Sequence, residues 1–159
     1  MTLGWRWFLL ECDILNIRGD MYKIFQSAII SILCDQLSKL SMLYVFDLPD
    51  VGKIDVFPPY LQFTMAWNYG VNFGLFANST EIMRWVLIII AILICLIVIR
   101  WSVLEKFGSM GLISCGFLVG GAVGNAIDRF FHGAVVDFLN VSCCGISNPF
   151  AFNVADIFI

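Results

Sequence analysis

The chain has 159 residues, 60% of them hydrophobic and 13% charged, with a mean hydropathy of +0.91. Soluble domains carry about 25% charged and 45–50% apolar residues, so this composition excludes an ordinary soluble protein and points to one membrane-embedded domain. A net charge of −3 has the wrong sign, and too small a size, for a nucleic-acid partner.

In chain order, residues 1–20 hold Glu11, Asp13 and Asp20 among aromatic side chains. They form no convincing span, and they lack the small-residue cleavage site of a secretory signal. An N-terminal extension over 1–20 is therefore expected ahead of a domain over 21–159, with Met21 a candidate functional start. A bilayer-crossing helix needs roughly 20 apolar residues, which predicts a first span near 22–46, interrupted in its outer half by Asp35 and Lys39. After Pro58-Pro59, the alternating run from Leu61 to Trp67 predicts a β element. The second span, 82–99, is nearly all Ile, Leu and Val; the third, 107–127, is uncharged and rich in Gly and Ala, which suits close helix contacts. A fourth span is expected from about Asn148-Pro149, with proline at a tolerated first-turn position. The ten residues from Phe150 to Ile159 would give about 15 Å of helix, half of a hydrocarbon core of about 30 Å. The predicted fold is an all-α integral membrane protein, a four-transmembrane-helix bundle with a small extracytoplasmic β-rich element.

Arg6, Arg18 and Lys23 precede the first span, and Arg100 and Lys106 fill the second connection. By the positive-inside rule these sides are cytoplasmic and 47–80 and 128–148 face outward. Asp35, Lys39, Asp128, Arg129, Asp137 and Asp156 then gather near the outer boundary. Cys34, Cys95 and Cys115 lie in apolar stretches as small apolar residues, and the adjacent Cys143 and Cys144 are poorly placed to pair with each other. No CxxC or Cys/His spacing is present and His132 stands alone, so neither a metal nor a cofactor is expected.

Five polar motifs interrupt the apolar chain. Asp35-Gln-Leu-Ser-Lys39 puts Asp and Lys on one helical face, either as a self-neutralising pair or as part of a site. Asn68-Tyr-Gly70-Val-Asn-Phe-Gly is turn-forming and could also hold a peptide. Asn125 shares a face with Asp128 or Arg129, as a helix-end cap or as something more. Asp137 in Val-Val-Asp-Phe and Asp156 in Phe-Asn-Val-Ala-Asp stand in strongly apolar surroundings, where an ionised carboxylate is costly. Burial arguments alone leave function and a solvated loop or cap open for both.

Taken in this order, the motifs resemble the pattern of the prolipoprotein signal peptidases, the signal peptidase II family of membrane aspartyl endopeptidases. The resemblance covers about 23–159. It implies a bacterial inner-membrane enzyme that cuts prolipoproteins just before a diacylglyceryl-modified cysteine. Carried over, Asp137 and Asp156 are the catalytic pair, with Asp35, Lys39, Asn68, Gly70, Asn125, Asp128, Arg129 and Asn153 binding substrate or supporting the site. It also implies lipid-modified prolipoproteins and membrane lipids as partners, a monomer, a cytoplasmic N-terminus and an active site near the periplasmic face. With no candidate metal and no Ser/His or Cys/His pair, two carboxylates sharing a proton are the route to an activated water. Asn153, three residues before Asp156, is expected on the same helical face. The alternative is a small polytopic transporter, or a non-catalytic membrane protein, using the same Asp and Arg residues.

Overall fold

The structure, a computed structural model, describes the backbone of residues 3–70, 80–143 and 148–159, and side chains over 17–70, 81–143 and 148–159. Helix α1 (Leu3–Leu40) runs into a π-helical turn, Ser41–Val45, and a short α2 (Leu48–Val51). Strands β1 (Lys53–Phe57) and β2 (Leu61–Asn68) follow, then α3 (Thr80–Leu104), α4 (Ser109–His132), β3 (Val135–Val141) and α5 (Val154–Phe158). Among the described residues three stretches are long and apolar enough to cross a membrane: Ile17–Val45, Glu81–Leu104 and Ser109–His132.

The first three spans fall where composition placed them, although α1 begins well before residue 22 and carries the 1–20 segment as continuous helix from Leu3. The C-terminal helix starts at Val154 rather than near Pro149, and the cause is local. Phe152 N–H donates to Leu139 O at 2.9 Å, and Phe152 O accepts from Phe138 and Leu139 N–H at 3.0 and 2.7 Å. That backbone is committed to strand-like pairing, so no helix starts at Pro149. Asn153 is extended (φ −124°, ψ −179°), and α5 is five residues long.

The predicted β run is β2, the centre of an antiparallel sheet ordered β1-β2-β3. Ala66 lies opposite Asp137 and Asn68 opposite Val135, with a bulge between Phe63 and Ala66. Asp137 thus stands on a strand. Val135 to Phe138 are all buried, as expected of a strand covered on both faces. Met42, Leu48, Val136 and Phe138 form the core beneath it.

Spans α1 and α4 meet through glycines four residues apart. A Cβ on Gly116 would collide with Ser27 Oγ and the Ile24 carbonyl, and one on Gly120 with the Ala28 backbone. A Cβ on Gly124 would lie 2.6 Å from Asp35 Oδ2. This is the close approach that the third span's Gly and Ala content predicts. Span α3 packs on the same core through Cys95, and Arg84 Nη2 donates at 2.5 Å to Phe130 O in the last turn of α4. Cys34, Cys95 and Cys115 are free. Cys143 is disulfide-bonded. Cys144 lies outside the described residues.

Gly120→Ala is expected to destabilise the protein by about 1–3 kcal/mol, because the new methyl meets backbone that cannot rotate away. Thermal unfolding in detergent measures this; Gly19→Ala, where a Cβ meets nothing within 4 Å, should leave the melting temperature unchanged or slightly raised.

Candidate active site

The polar motifs converge on one cluster above the α1–α4 contact. Asp35 and Lys39, one turn apart on α1, form an ion pair of 2.7 Å, and Lys39 reaches Asp128 of α4 at the same distance. Asp35, Lys39 and Asp128 are 0, 2 and 3% exposed, so this is a buried triad rather than a solvated pair at a helix end. One ammonium does not satisfy two carboxylates, and the remaining oxygens turn to backbone. Asp35 Oδ1 accepts from Ala155 N–H at 2.9 Å, and Asp128 Oδ2 accepts from Val136 N–H at 3.2 Å. Gln36 Nε2 bridges Asp35 and Asp128 at 3.1 and 2.9 Å. The triad therefore fixes the backbone next to Asp156 on α5 and next to Asp137 on β3.

The second motif acts through its first and third residues. Asn68 Oδ1 accepts from Gly70 N–H at 2.9 Å, which frees Asn68 Nδ2 to donate to Asp137 Oδ2 at 3.0 Å. Gly70 has φ +96°, and any Cβ there would strike Leu87 of α3. Val71, Asn72, Phe73 and Gly74 lie outside the described residues.

Asn153 is not on the helical face expected for it; it is the N-cap of α5. Its Oδ1 accepts from Asp156 N–H, and its own N–H donates to Asp156 Oδ2, both at 3.1 Å, a reciprocal capping box. Its Nδ2 donates to Asp137 Oδ1 at 2.6 Å and to Asn125 Oδ1 at 3.2 Å. Asn125 Nδ2 in turn donates to Asp156 Oδ1 at 3.1 Å, while its Oδ1 also accepts from Lys39 Nζ at 3.0 Å. Asn153 and Asn125 so connect both aspartates to the triad.

The two carboxylates differ in setting. Asp137 is buried and Asp156 exposed. Burial pushes the Asp137 carboxyl above the ordinary carboxylate value. The Asn153 and Asn68 amides partly hold it down, the Asp156 charge raises it further, and Lys39 lowers it. Arg129 lies close enough to interact electrostatically with Asp128, Asp137 and Asp156. One of its arms donates to Asn125 O at 3.2 Å, and its Nε is buried without a partner. Among the described residues no group of three or more His, Cys, Asp or Glu is arranged to hold a metal ion.

The structure brings together all ten residues singled out in the sequence. It adds Gln36, which lies inside a motif, and Asn140, which lies outside them all. Asn140 Nδ2 donates to Asn148 O and Phe150 O at 2.7 and 3.0 Å. No spacing rule marks such a residue, because its partners are backbone carbonyls.

The family model described as signal peptidase (SPase) II matches residues 27–159. A lipoprotein signal peptidase from Methylobacterium sp. (strain 4-46) is 41% identical over 131 residues, which is 82% of this chain and 77% of the relative. One from Nitrobacter hamburgensis is 35% identical over 136 residues, 84% of this chain and 82% of that protein. A bacterial membrane enzyme structure determined by the in meso method at 2.3 Å resolution superposes with a TM-score of 0.69 at 26% identity, over 85% of this chain and 79% of the other.

Lys39→Met leaves two buried carboxylates facing each other without their cation, and should destabilise the protein by about 3–5 kcal/mol. Unfolding in detergent gives the loss, and the double variant Lys39→Met with Asp35→Asn should recover part of it.

Proposed function

The chain belongs to the signal peptidase II family, and we propose that it removes the signal peptide from diacylglyceryl-modified bacterial prolipoproteins, cutting before the lipidated cysteine by means of an aspartate dyad, Asp137 and Asp156. The observation that carries this reading is the shared contact of both carboxyl groups with Asn153, one buried and one open to substrate.

In this reading a water held between the two carboxyl groups loses its proton to the ionised member as it attacks the scissile carbonyl, and the protonated member polarises that carbonyl. The raised titration of Asp137 supports a proton retained within the pair, and the pair titrates as a unit. Asn68 and Asn153 orient Asp137, and Asn125 and Asn153 orient Asp156. Arg129, with its unpartnered Nε, is suited to a substrate carbonyl. Asp35, Lys39 and Asp128 support the backbone beneath. A cavity of about 220 Å³ between α3 and α4, whose lining includes Ala91, Cys95, Val119, Ala122 and Ala126, is suited to an acyl chain. The distribution of basic residues supports an inner-membrane protein with a cytoplasmic N-terminus and a periplasmic site. Residues 21–159 are then the peptidase domain and 1–20 an extension, in keeping with a family match that starts at residue 27. A transporter would use the buried triad differently, but both its carboxylates are tied to β3 or α5 backbone, which favours a supporting role.

Asp137→Asn and Asp156→Asn should each lower cleavage of a diacylglyceryl-modified prolipoprotein by at least about 10²–10⁴-fold while membrane insertion persists. Wild-type processing by either variant refutes the dyad; equal cleavage of an unlipidated substrate, or insensitivity to globomycin, refutes the specificity. The pH profile gives a second check. Activity should fall on the acid side when both carboxyls are protonated and on the alkaline side when the shared proton leaves. The Asn68 amide lowers the Asp137 titration, so Asn68→Ala should move the alkaline limb to higher pH. Expression from Met21 should retain full activity if 1–20 is an extension.

A further inference from the structure

Ahead of Asn153, the segment leading into Asp156 is held against β3 in two places. One is the backbone pairing of Phe152 with Phe138 and Leu139. The other is a single buried side chain, Asn140, 8% exposed, three residues beyond Asp137 on the same strand. Its amide donates to two carbonyls of the incoming segment, Asn148 O at 2.7 Å and Phe150 O at 3.0 Å. The amide itself is fixed from behind: Asn140 Oδ1 accepts from Ser142 Oγ at 3.2 Å, and Ser142 Oγ accepts from Asn148 N–H at 3.1 Å.

We propose that Asn140 is a positioning residue for the aspartate pair, a clamp that sets how residues 148–153 lie along β3 and hence the separation of Asp156 from Asp137. Among the described residues, 148–153 make backbone pairing with β3 only at Phe152. Beyond them α5 is tied to α1 by the Ala155 N–H bond to Asp35 and to α4 by the Asn125 bond to Asp156. With the Asn140 amide gone, the 148–150 end loses both carbonyl partners and the segment can pivot about the Phe152 pairing. Asn153 lies one residue beyond that pivot, and its 2.6 Å bond to Asp137 lengthens first. Asn140 touches neither carboxylate, so its effect passes entirely through the segment.

This inference rests on the dyad reading above, and it is tested on the full chain in detergent micelles with a diacylglyceryl-modified prolipoprotein peptide. Asn140→Asp keeps the size but removes both donors, and Asn140→Ala removes the side chain. Both should lower kcat by about tenfold or more and leave KM within about twofold. Independently of substrate, the Asp137 carboxyl, followed by ¹³C NMR, should titrate at higher pH in both variants as the Asn153 donor loosens. Leu112→Ala, in the core at the far end of α4, serves as the control for lost stability, since it should lower the melting temperature without moving that titration. Wild-type kcat in Asn140→Asp, or an Asp137 titration that stays in place while kcat falls in step with the folded fraction, overturns the proposal. Should the wild-type chain fail to cleave, the function is refuted while the titration still decides the role of Asn140.

Discussion

A lysine ammonium only 2% exposed on a helix long and apolar enough to span a membrane persists because two carboxylates meet it at 2.7 Å, and that pairing governs this end of the molecule. The triad carries one more negative charge than positive. The surplus is met by three donors: the Gln36 amide, Val136 N–H and Ala155 N–H. Val136 precedes Asp137 and Ala155 precedes Asp156. Solvating a buried ion cluster and placing the two aspartates are therefore the same set of hydrogen bonds. A hydrophobic replacement of the triad could match its stability, but it would offer no acceptors to hold β3 and α5 at these positions.

The triad depends in turn on the separation of α1 and α4. Gly116, Gly120 and Gly124 let the α1 backbone approach to where no Cβ fits, and Gly124 faces Asp35 itself. Only at that distance can a side chain as short as Asp128 reach an ammonium carried on the neighbouring helix. A methyl group at Gly116 or Gly120 would act at the carboxylates by widening this gap, although it touches neither of them.

Much of this was legible in the chain because the signals are local. The i, i+4 spacing of Asp35 and Lys39, the glycine content of the third span and the alternation over 61–67 each state a geometry that short-range sterics enforce. The order of the five motifs made the site residues recognisable as a group. What stayed hidden depends on partners far along the chain. That Asp128 faces Lys39 follows from how α4 docks on α1, 89 positions away in sequence (128 − 39). Apolar composition over 148–159 reads as the start of a span, but Phe152 has a strand edge available at Leu139 and takes it, so the helix begins only at Val154. Asn153, expected on a helical face, is instead an N-cap for the same reason, since spacing alone does not report the extended backbone that separates a cap from a first-turn residue. Asn140 left no trace, since a side chain that binds backbone carbonyls needs no particular residue opposite it.

The geometry also explains why position 153 carries asparagine. An N-cap must offer an acceptor to the α5 backbone, which Asp, Asn, Ser and Thr all do. The same side chain must here donate to Asp137 Oδ1 and to Asn125 Oδ1. Aspartate would supply the acceptor but no donor, and would add a further carboxylate beside Asp137. A hydroxyl has one proton and could serve only one of the two oxygens. Glutamine has the right groups on a stem too long for the cap. Asparagine alone combines an acceptor with two donors at this length. That double duty makes the start of α5 and the orientation of Asp137 one structural event, so Asp156 cannot be placed without Asp137 being placed as well.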